Sequence, residues 1–188
     1  MEYNVKVMLS NHHCHLTKEA CDALFGQDYE LTPQKNIGGK AYACKETVEV
    51  SGPKGTLGSL RALAPVRRYT QVELLAGDCF KLGVEAPVRE SGHLDGACEL
   101  TLTGPAGSIT VPCGIIAQRH LHIGREEAGE MDLADGAVVS ARAAGDRAAL
   151  LENMVVRTNS IHFNVIHLDM DEGNALGLHN GDTMTVVF

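Results

Sequence analysis

The sequence predicts a mainly β protein built of small barrels capped by short helices. Strand patterns are spread along the whole chain, whereas helical patterns are few and short. A short helix, a Gly or Asp turn and a strand recur at residues 78–84, 128–136 and 175–182, which is typical of small barrels. Strands and helices do not alternate regularly, so a doubly wound parallel sheet and an eightfold barrel are disfavoured. A plain sandwich of the same strands stays an alternative.

The predicted strands alternate apolar and polar residues or form short apolar runs between turn signals. They cover residues 4–9, 46–51, 57–63, 70–75, 98–103, 108–111, 138–143, 150–156, 163–168 and 183–188. Two of the connections, at residues 52–55 and 104–107, share the pattern Gly-Pro-x-Gly. The sequence therefore predicts two weakly similar hairpins.

Three helices and one long loop complete the predicted elements. Thr17 can cap a helix because its hydroxyl can accept a first-turn N–H, and Gly26 is a typical helix stop. Shorter helices are expected at residues 125–131 and 171–176. The segment 32–45, rich in Gly, Lys and Asn, is expected to be a loop.

Composition excludes several classes of function. The 188 residues include 16 Lys and Arg against 24 Asp and Glu, a net charge of −8, so no nucleic-acid or anionic-membrane surface is expected. No apolar run approaches the ~20 residues of a membrane-spanning helix. The first residues lack the basic and apolar regions of a secretory signal, and a cytoplasmic protein is expected.

Six cysteines stand alone in the sequence, with no Cys-x-x-Cys pair among them. Three disulfides are conceivable for an even number, but a cytoplasmic chain of this length favours free thiols packed in the core.

Histidines give the strongest functional signal, because His-x-His occurs twice, at His13/His15 and at His120/His122. Side chains two residues apart on an extended chain leave the same face, so two imidazoles can bind one cation. Each pair follows an apolar run. Two His ligands need a third group, for which His167 is a candidate at the end of a strand. His162, five residues earlier, would face the opposite side of that strand.

Glu73 is the natural carboxylate ligand, since it stands in an apolar strand pattern where a charge needs a partner. A solvated charge on an edge strand is the alternative. Lys54, Arg61, Arg67 and Arg68 suggest an anionic substrate, because the guanidinium fork suits phosphate. The alternative is that these basic residues form a solvated surface with no substrate role. No nucleotide-binding glycine motif is present.

These motifs together resemble the PduL-type phosphotransacylases, which are phosphate propanoyltransferases. The resemblance covers nearly the whole chain in order: Ser10-Asn11-His12-His13-Cys14-His15-Leu16, Ala23-Leu24-Phe25-Gly26, Tyr29-Glu30-Leu31-Thr32-Pro33, Gly52-Pro53-Lys54-Gly55, Gln71-Val72-Glu73, Phe80-Lys81-Leu82-Gly83, Arg119-His120-Leu121-His122 and His167-Leu168-Asp169-Met170-Asp171-Glu172.

The resemblance implies a fold and an activity. Two small β-barrels capped by short helices are expected, one discontinuous (residues 1–11 and 118–188) and one with a capping helix and a loop (residues 12–117). The N-terminal strand would join the C-terminal barrel. The implied enzyme is a phosphate acyltransferase that interconverts short-chain acyl-CoA and phosphate with acyl phosphate and coenzyme A. Transfer would be direct, at a dinuclear zinc site with two Zn²⁺ per chain.

The resemblance also implies site residues. His13, His15 and Glu73 would hold one zinc ion, and His120, His122 and His167 the other. Arg67 matches the catalytic arginine that binds phosphate. Positions near coenzyme A are matched by Leu9, Ser10, Asn11, Lys54, Arg61 and Asn174.

Two departures from the family pattern stand out: His12 replaces the usual Arg, and Gly173 replaces the usual Ala. The first removes a fixed positive charge beside the site. Only about ten residues precede the first motif, so no N-terminal microcompartment-targeting extension is visible.

Two other functions stay open. His-x-His also occurs in binuclear zinc hydrolases acting on a thioester or an amide, although their usual barrel needs ~250 residues. A non-catalytic metal-binding module is the second alternative, although closed structural zinc sites favour cysteine-rich sets of four ligands. The sequence leaves the oligomeric state open, a homo-oligomer included.

Overall fold

The computed structural model describes residues 2–158 and 164–187. The chain divides into two compact units. The first unit consists of Met1–Asn11 and Gln118–Phe188, and the second unit of His12–Ala117. Each unit has its own core of buried aliphatic residues, which matches a sequence poor in aromatic side chains.

Fourteen strands and four helices follow one another along the described chain. The strands are β1 (Glu2–Ser10), β2 (His13–His15), β3 (Pro33–Gly38), β4 (Ala41–Ser51), β5 (Thr56–Ala64), β6 (Gln71–Leu74), β7 (Val88–Arg89), β8 (Cys98–Thr103), β9 (Ser108–Ala117), β10 (His120–His122), β11 (Val138–Ala143), β12 (Ala149–Arg157), β13 (Val165–Asp169) and β14 (Thr183–Val187). The helices are α1 (Lys18–Phe25), α2 (Ala76–Leu82), α3 (Arg125–Glu130) and α4 (Met170–Leu176).

A closed barrel of six strands forms the second unit, in the order β4-β5-β2-β6-β9-β8. The short strands β2 and β6 are antiparallel neighbours in this ring. β2 also pairs in parallel with β5, and β6 in parallel with β9. β3 and β7 are added outside the ring, on β4 and β9.

The first unit is also a closed barrel of six strands, in the order β1-β13-β10-β12-β11-β14. β1 lies between β13 and β14, so the N-terminal strand completes the barrel made by the C-terminal part of the chain. The predicted fold class, two β-barrels capped by short helices with the N-terminal strand in the C-terminal barrel, is confirmed. The predicted strand 163–168 begins at Phe163 and the predicted strand 183–188 ends at Phe188. Both of these residues lie outside the described residues.

Both barrels repeat one unit of strand, helix and hairpin. In the second unit the repeats are β2-α1-β4-β5 and β6-α2-β8-β9. In the first unit they are β10-α3-β11-β12 and β13-α4-β14, with β1 as the last strand. The first strands of the two repeats pair with each other in each barrel. This internal repetition explains the recurring helix-to-strand passages of the sequence.

The two Gly-Pro-x-Gly turns connect equivalent hairpins and contact equivalent helix ends. Lys54 N–H donates to Leu82 O at the end of α2, and Ala106 N–H donates to Leu24 O at the end of α1, both at 2.9 Å. A Cβ on Gly52 would lie 2.5 Å from Leu82 O. Glycine is therefore required for each turn to reach the last carbonyls of its helix.

The predicted cap of the first helix is confirmed, whereas the predicted loop at 32–45 is wrong. Thr17 Oγ1 accepts the N–H of Ala20, and α1 ends at Gly26. Residues 33–38 and 41 onward are strands β3 and β4. β3 has mostly exposed polar side chains because it pairs only with β4 on the outside of the barrel, so no apolar alternation marks it.

Among the described residues, no helix has the length and apolar character required to cross a membrane.

The glycine requirement can be tested with Gly104→Ala. The added Cβ would lie 2.3 Å from the backbone oxygen of Leu24, so either the turn or the end of α1 must shift. We expect a loss of about 1–3 kcal/mol in the free energy of unfolding, measured by urea denaturation. Gly129→Ala, in α3 with nothing within 4 Å of the added Cβ, is the control and should be neutral or stabilising. Equal stability of the two variants would contradict the role of the turn.

Candidate metal centre

The first cluster of candidate ligands lies on β2 and β6 of the second unit. His13 and His15 are two residues apart on β2, so their side chains leave the same face of the strand. The antiparallel pairing puts His13 opposite Glu73 of β6. One candidate ligand atom from each of the three residues lies within 4.8 Å of the others. Pairing of two short strands thus brings together residues that are about sixty positions apart in the sequence.

The spacing of these side chains fits a shared cation better than hydrogen bonds among themselves. His13 Nε2 lies 3.4 Å from Glu73 Oε2, and His15 Nε2 lies 3.7 Å from Glu73 Oε1. A usual N–H···O bond is ~2.7–3.2 Å long. Two ligands at ~2.0–2.1 Å from a tetrahedral zinc ion are ~3.3–3.4 Å apart.

The protonation states of the first cluster also suit a metal. Burial, together with the neighbouring His13 and Arg67 side chains, lowers the pKa of His15 to about 4. Burial alone would raise the pKa of Glu73, but the adjacent His13 and His15 outweigh it and hold that pKa well below its usual range. A neutral imidazole and an ionised carboxylate are the forms that bind cations.

Glu73 is not a solvated charge on an edge strand. β6 lies between β2 and β9 in the barrel wall, and the Glu73 side chain is 13% exposed. The alternative reading of this residue is therefore wrong.

The second cluster lies at the equivalent place in the first unit, on β10 and β13. The antiparallel pairing of these strands puts His120 opposite His167. The ring centroid of His122 lies 4.8 Å from that of His120 and 5.0 Å from that of His167, and the His120 and His167 centroids are 5.0 Å apart. The structure therefore brings all three histidines together. His162 lies outside the described residues.

A backbone carbonyl fixes the tautomer of His120. Its Nδ1 lies 2.9 Å from Gln118 O, which can only accept, so Nδ1 bears a proton, and in the neutral ring Nε2 then has the lone pair. Such a bond from the second ring nitrogen is the usual way in which a protein orients a metal-binding histidine.

An ion pair supports the strand ends near the second cluster. Arg119 Nε donates to Glu172 Oε1 at 2.6 Å, and its Nη1 donates to Glu152 O at 2.8 Å. Glu172 also belongs to the capping box of α4, whose cap residue Asp169 ends β13. Arg119 thus ties the start of β10 to the helix that follows His167.

Arg67 lies beside the first cluster and is oriented by polar neighbours. Its Nη1 donates to Tyr69 Oη at 2.7 Å and to Ser91 Oγ at 3.3 Å. Its Cζ is 5.7 Å from the centre of the Tyr69 ring. The partly buried guanidinium is therefore held in a defined direction next to His15.

The residues matched to coenzyme A contacts are distributed over both units. In the first unit, the Leu9 N–H donates to Asn180 Oδ1 at 2.7 Å, and Asn11 and Asn174 are exposed. In the second unit, Lys54 is exposed on its turn, and Arg61 donates to the carbonyls of Cys44 and Lys45. Ser10 Oγ donates to Asn11 O at 3.4 Å.

The two residues that depart from the family pattern, His12 and Gly173, each contact or make room for a neighbouring side chain. His12 Nδ1 lies 2.9 Å from Asp78 Oδ2, the same oxygen that accepts the Leu75 N–H at the start of α2. A Cβ on Gly173 would lie 2.7 Å from Leu9 Cδ1, so the glycine leaves room for that side chain.

Gln71, Tyr69 and Ser91 were not predicted as site residues. Gln71 donates to Glu73 of the first cluster and to Ser91, and Ser91 accepts from Arg67. A signal for Gln71 was present, because it is a polar residue two positions before Glu73 in an apolar strand and so shares its face. Ser91 lies in a loop, where no periodic pattern indicates its neighbours.

Comparison with known proteins identifies one family. A sequence profile described as phosphate propanoyltransferase matches residues 6–179. The phosphate propanoyltransferase of Rhodobacter capsulatus is 41% identical over 178 residues, which cover 94% of this chain and 83% of that protein. The phosphate propanoyltransferase of Thermotoga maritima is 40% identical over 189 residues, covering 99% of this chain and 90% of that protein.

Most of the cysteines are buried in the core of the second unit. All six are free, as predicted, and Cys14, Cys21, Cys44 and Cys113 are buried. Cys14 stands between the two histidines of β2 but is 0% exposed in the core. Burial raises the pKa of Cys113 to about 12 and that of Cys21 to about 11.

Thiol labelling tests this arrangement. In the native protein we expect Ellman's reagent to modify Cys79 and Cys98 first, because these two are partly exposed, while the other four thiols react only on unfolding. The time course of thiolate release gives the number of reactive groups, and a guanidinium-unfolded sample should give all six. Rapid modification of Cys14 in the native protein, identified by mass spectrometry, would contradict its burial.

Proposed function

The chain belongs to the phosphate propanoyltransferase family, and from this premise we propose that it interconverts a short-chain acyl-CoA and phosphate with an acyl phosphate and coenzyme A. It is an acyltransferase, as the names of its relatives state. The observation that best supports the proposal is the pair of three-residue clusters at equivalent places in the two barrels, one of them with Arg67 at its side.

Each cluster would hold one zinc ion, giving two per chain. The ligands would be His13, His15 and Glu73 in the second unit, and His120, His122 and His167 in the first. Three protein ligands leave a coordination position available for substrate, which is typical of catalytic rather than structural zinc. When bound, the ions would supply Lewis acidity and a fixed point at which reactants are oriented.

The protein's own groups would bind and orient the two substrates. Arg67 would donate to phosphate oxygens through its guanidinium fork, since its hydrogen bonds to Tyr69 and Ser91 both come from Nη1. Holding phosphate in one direction would favour attack of its oxygen on the thioester carbonyl carbon, with coenzyme A as the leaving thiolate. No thiol of the chain is required.

Coenzyme A would be bound by exposed groups in each unit. Lys54 and Arg61 would suit its phosphates, because both cations lie at the surface of the second unit. In the first unit the contacts would come from Leu9, Ser10, Asn11 and Asn174. His12 stands where the family usually has arginine, and its Nδ1 lies 2.9 Å from Asp78 Oδ2.

Arg67→Ala tests the phosphate site. The loss of a charged, forked donor should lower kcat/KM for phosphate by about 10- to 100-fold, mainly through a higher KM. The assay is phosphate-dependent release of coenzyme A from acetyl-, propanoyl- and butanoyl-CoA, followed with a thiol reagent. Arg68→Ala, which removes the exposed neighbouring arginine, is the matched control. An unchanged KM for phosphate in Arg67→Ala would refute the assignment, and release without phosphate would indicate a hydrolase instead.

Histidine replacements test the metal ligands. His120→Ala and His167→Ala should each lose about one zinc ion per chain and turnover with it, since two remaining ligands bind zinc weakly. Elemental analysis of the purified variants gives the metal content, to be compared with the coenzyme A assay. His179→Ala is the control, because this side chain is 87% exposed and lies outside both clusters. Wild-type zinc content in His120→Ala would exclude that ligand.

A further inference from the structure

Gln71 is a completely buried polar residue whose side-chain amide makes three hydrogen bonds. Its exposure is 0%, and it shares one face of β6 with Glu73. Its Nε2 donates to Glu73 Oε1 and to Ser91 Oγ, both at 2.8 Å. Its Oε1 accepts the N–H of Gly92 at 2.8 Å. A buried amide with three short bonds is costly to rearrange, so its orientation is fixed.

The chemistry of the partners allows only one orientation of this amide. The Glu73 carboxylate can only accept a hydrogen bond, and the Gly92 N–H can only donate one. A flip of the amide would place two acceptors together at Glu73 and two donors together at Gly92. The direction in which Nε2 points at Glu73 is therefore a consequence of the backbone at Gly92.

Ser91 connects this amide to the arginine beside the cluster. Its Oγ accepts from Gln71 Nε2 at 2.8 Å and from Arg67 Nη1 at 3.3 Å. The same loop packs on the ring that Arg67 contacts, because a Cβ on Gly92, at φ +98°, would lie 3.3 Å from Tyr69 Oη. A continuous chain of hydrogen bonds thus runs from Glu73 through Gln71 and Ser91 to Arg67.

We propose that Gln71 is a positioning residue that orients the Glu73 carboxylate toward its cation and, through Ser91, holds Arg67 in the direction needed for phosphate. This proposal rests on the proposed function. One amide donates to both Glu73 and Ser91, and Ser91 accepts from Arg67. The orientation of the proposed metal ligand and that of the anion-binding arginine therefore both depend on Gln71. Removal of Gln71 should weaken metal binding and phosphate binding together, whereas removal of Ser91 should weaken phosphate binding alone.

The test compares Gln71→Leu, Gln71→Glu and Ser91→Ala with wild type. Leucine has a similar volume and removes every bond, while glutamate keeps an acceptor for the Gly92 N–H and loses the donor to Glu73. Zinc affinity is measured by competition with a chromogenic chelator, a readout independent of turnover. In both Gln71 variants the affinity of one of the two zinc equivalents should fall by about 10- to 100-fold, and in Ser91→Ala it should not change.

The KM for phosphate tests the link from Gln71 through Ser91 to Arg67 separately from the link between Gln71 and Glu73. It should rise by about tenfold in Ser91→Ala and in the Gln71 variants, with a smaller change in kcat for Ser91→Ala. In an Arg67→Ala background, Ser91→Ala should raise this KM no further, because its effect on phosphate is exerted through Arg67.

Wild-type zinc affinity in Gln71→Glu would overturn the proposal, as would weakened zinc binding in Ser91→Ala. If Gln71→Leu does not fold, Gln71→Glu and Ser91→Ala still decide the matter, and circular dichroism verifies their folding. The zinc titration remains informative even if the wild-type chain releases no coenzyme A. Failure of the proposed function is therefore distinguishable from failure of the role given to Gln71.

Discussion

Both candidate metal centres depend on the register of one antiparallel strand pair, β2 with β6 in one barrel and β10 with β13 in the other. The register sets His13 opposite Glu73 and His120 opposite His167. A slip by one residue would turn the third ligand to the opposite face of its strand, because side chains alternate with a period of two. Closure of each barrel prevents such a slip, since both strands are also paired in parallel on their outer sides.

The alternation that puts the candidate ligands on one face of each strand puts anchoring side chains on the other face. Between His13 and His15, the side chain of Cys14 enters the core and pairs across the sheet with Val72, and both are 0% exposed. Leu121 and Ile166 occupy the equivalent places at the other centre, again at 0% exposure. Burial of an aliphatic side chain contributes about 1.5–3 kcal/mol, so the residues between the candidate ligands hold the strands in place. Stability and site geometry thus come from opposite faces of the same short strands.

The sequence was informative wherever function and structure depend on local spacing. The two His-x-His motifs, Glu73 and His167 could be selected from strand periodicity, and Thr17 and the two Gly-Pro-x-Gly turns from backbone chemistry. Periodicity shows which side chains share a face, but it does not show which strands are neighbours, so the pairing of His13 with Glu73 required the family resemblance or the structure. β3 was not predicted because a strand on the outside of the barrel needs no apolar face. The orientation of Gln71 toward Glu73 could not be predicted either, because it depends on the loop at Ser91 and Gly92, which has no periodic pattern.

X-ray absorption at the zinc K-edge tests the central claim, that histidines and one glutamate bind the metal, most directly. The purified zinc-loaded protein should show nitrogen and oxygen neighbours at ~2.0–2.1 Å, with the outer-shell scattering of imidazole. All six cysteines lie in the second unit, and Cys14 stands between His13 and His15 in the sequence, so sulfur is the natural competitor as a ligand. A sulfur shell at ~2.3 Å would contradict the account.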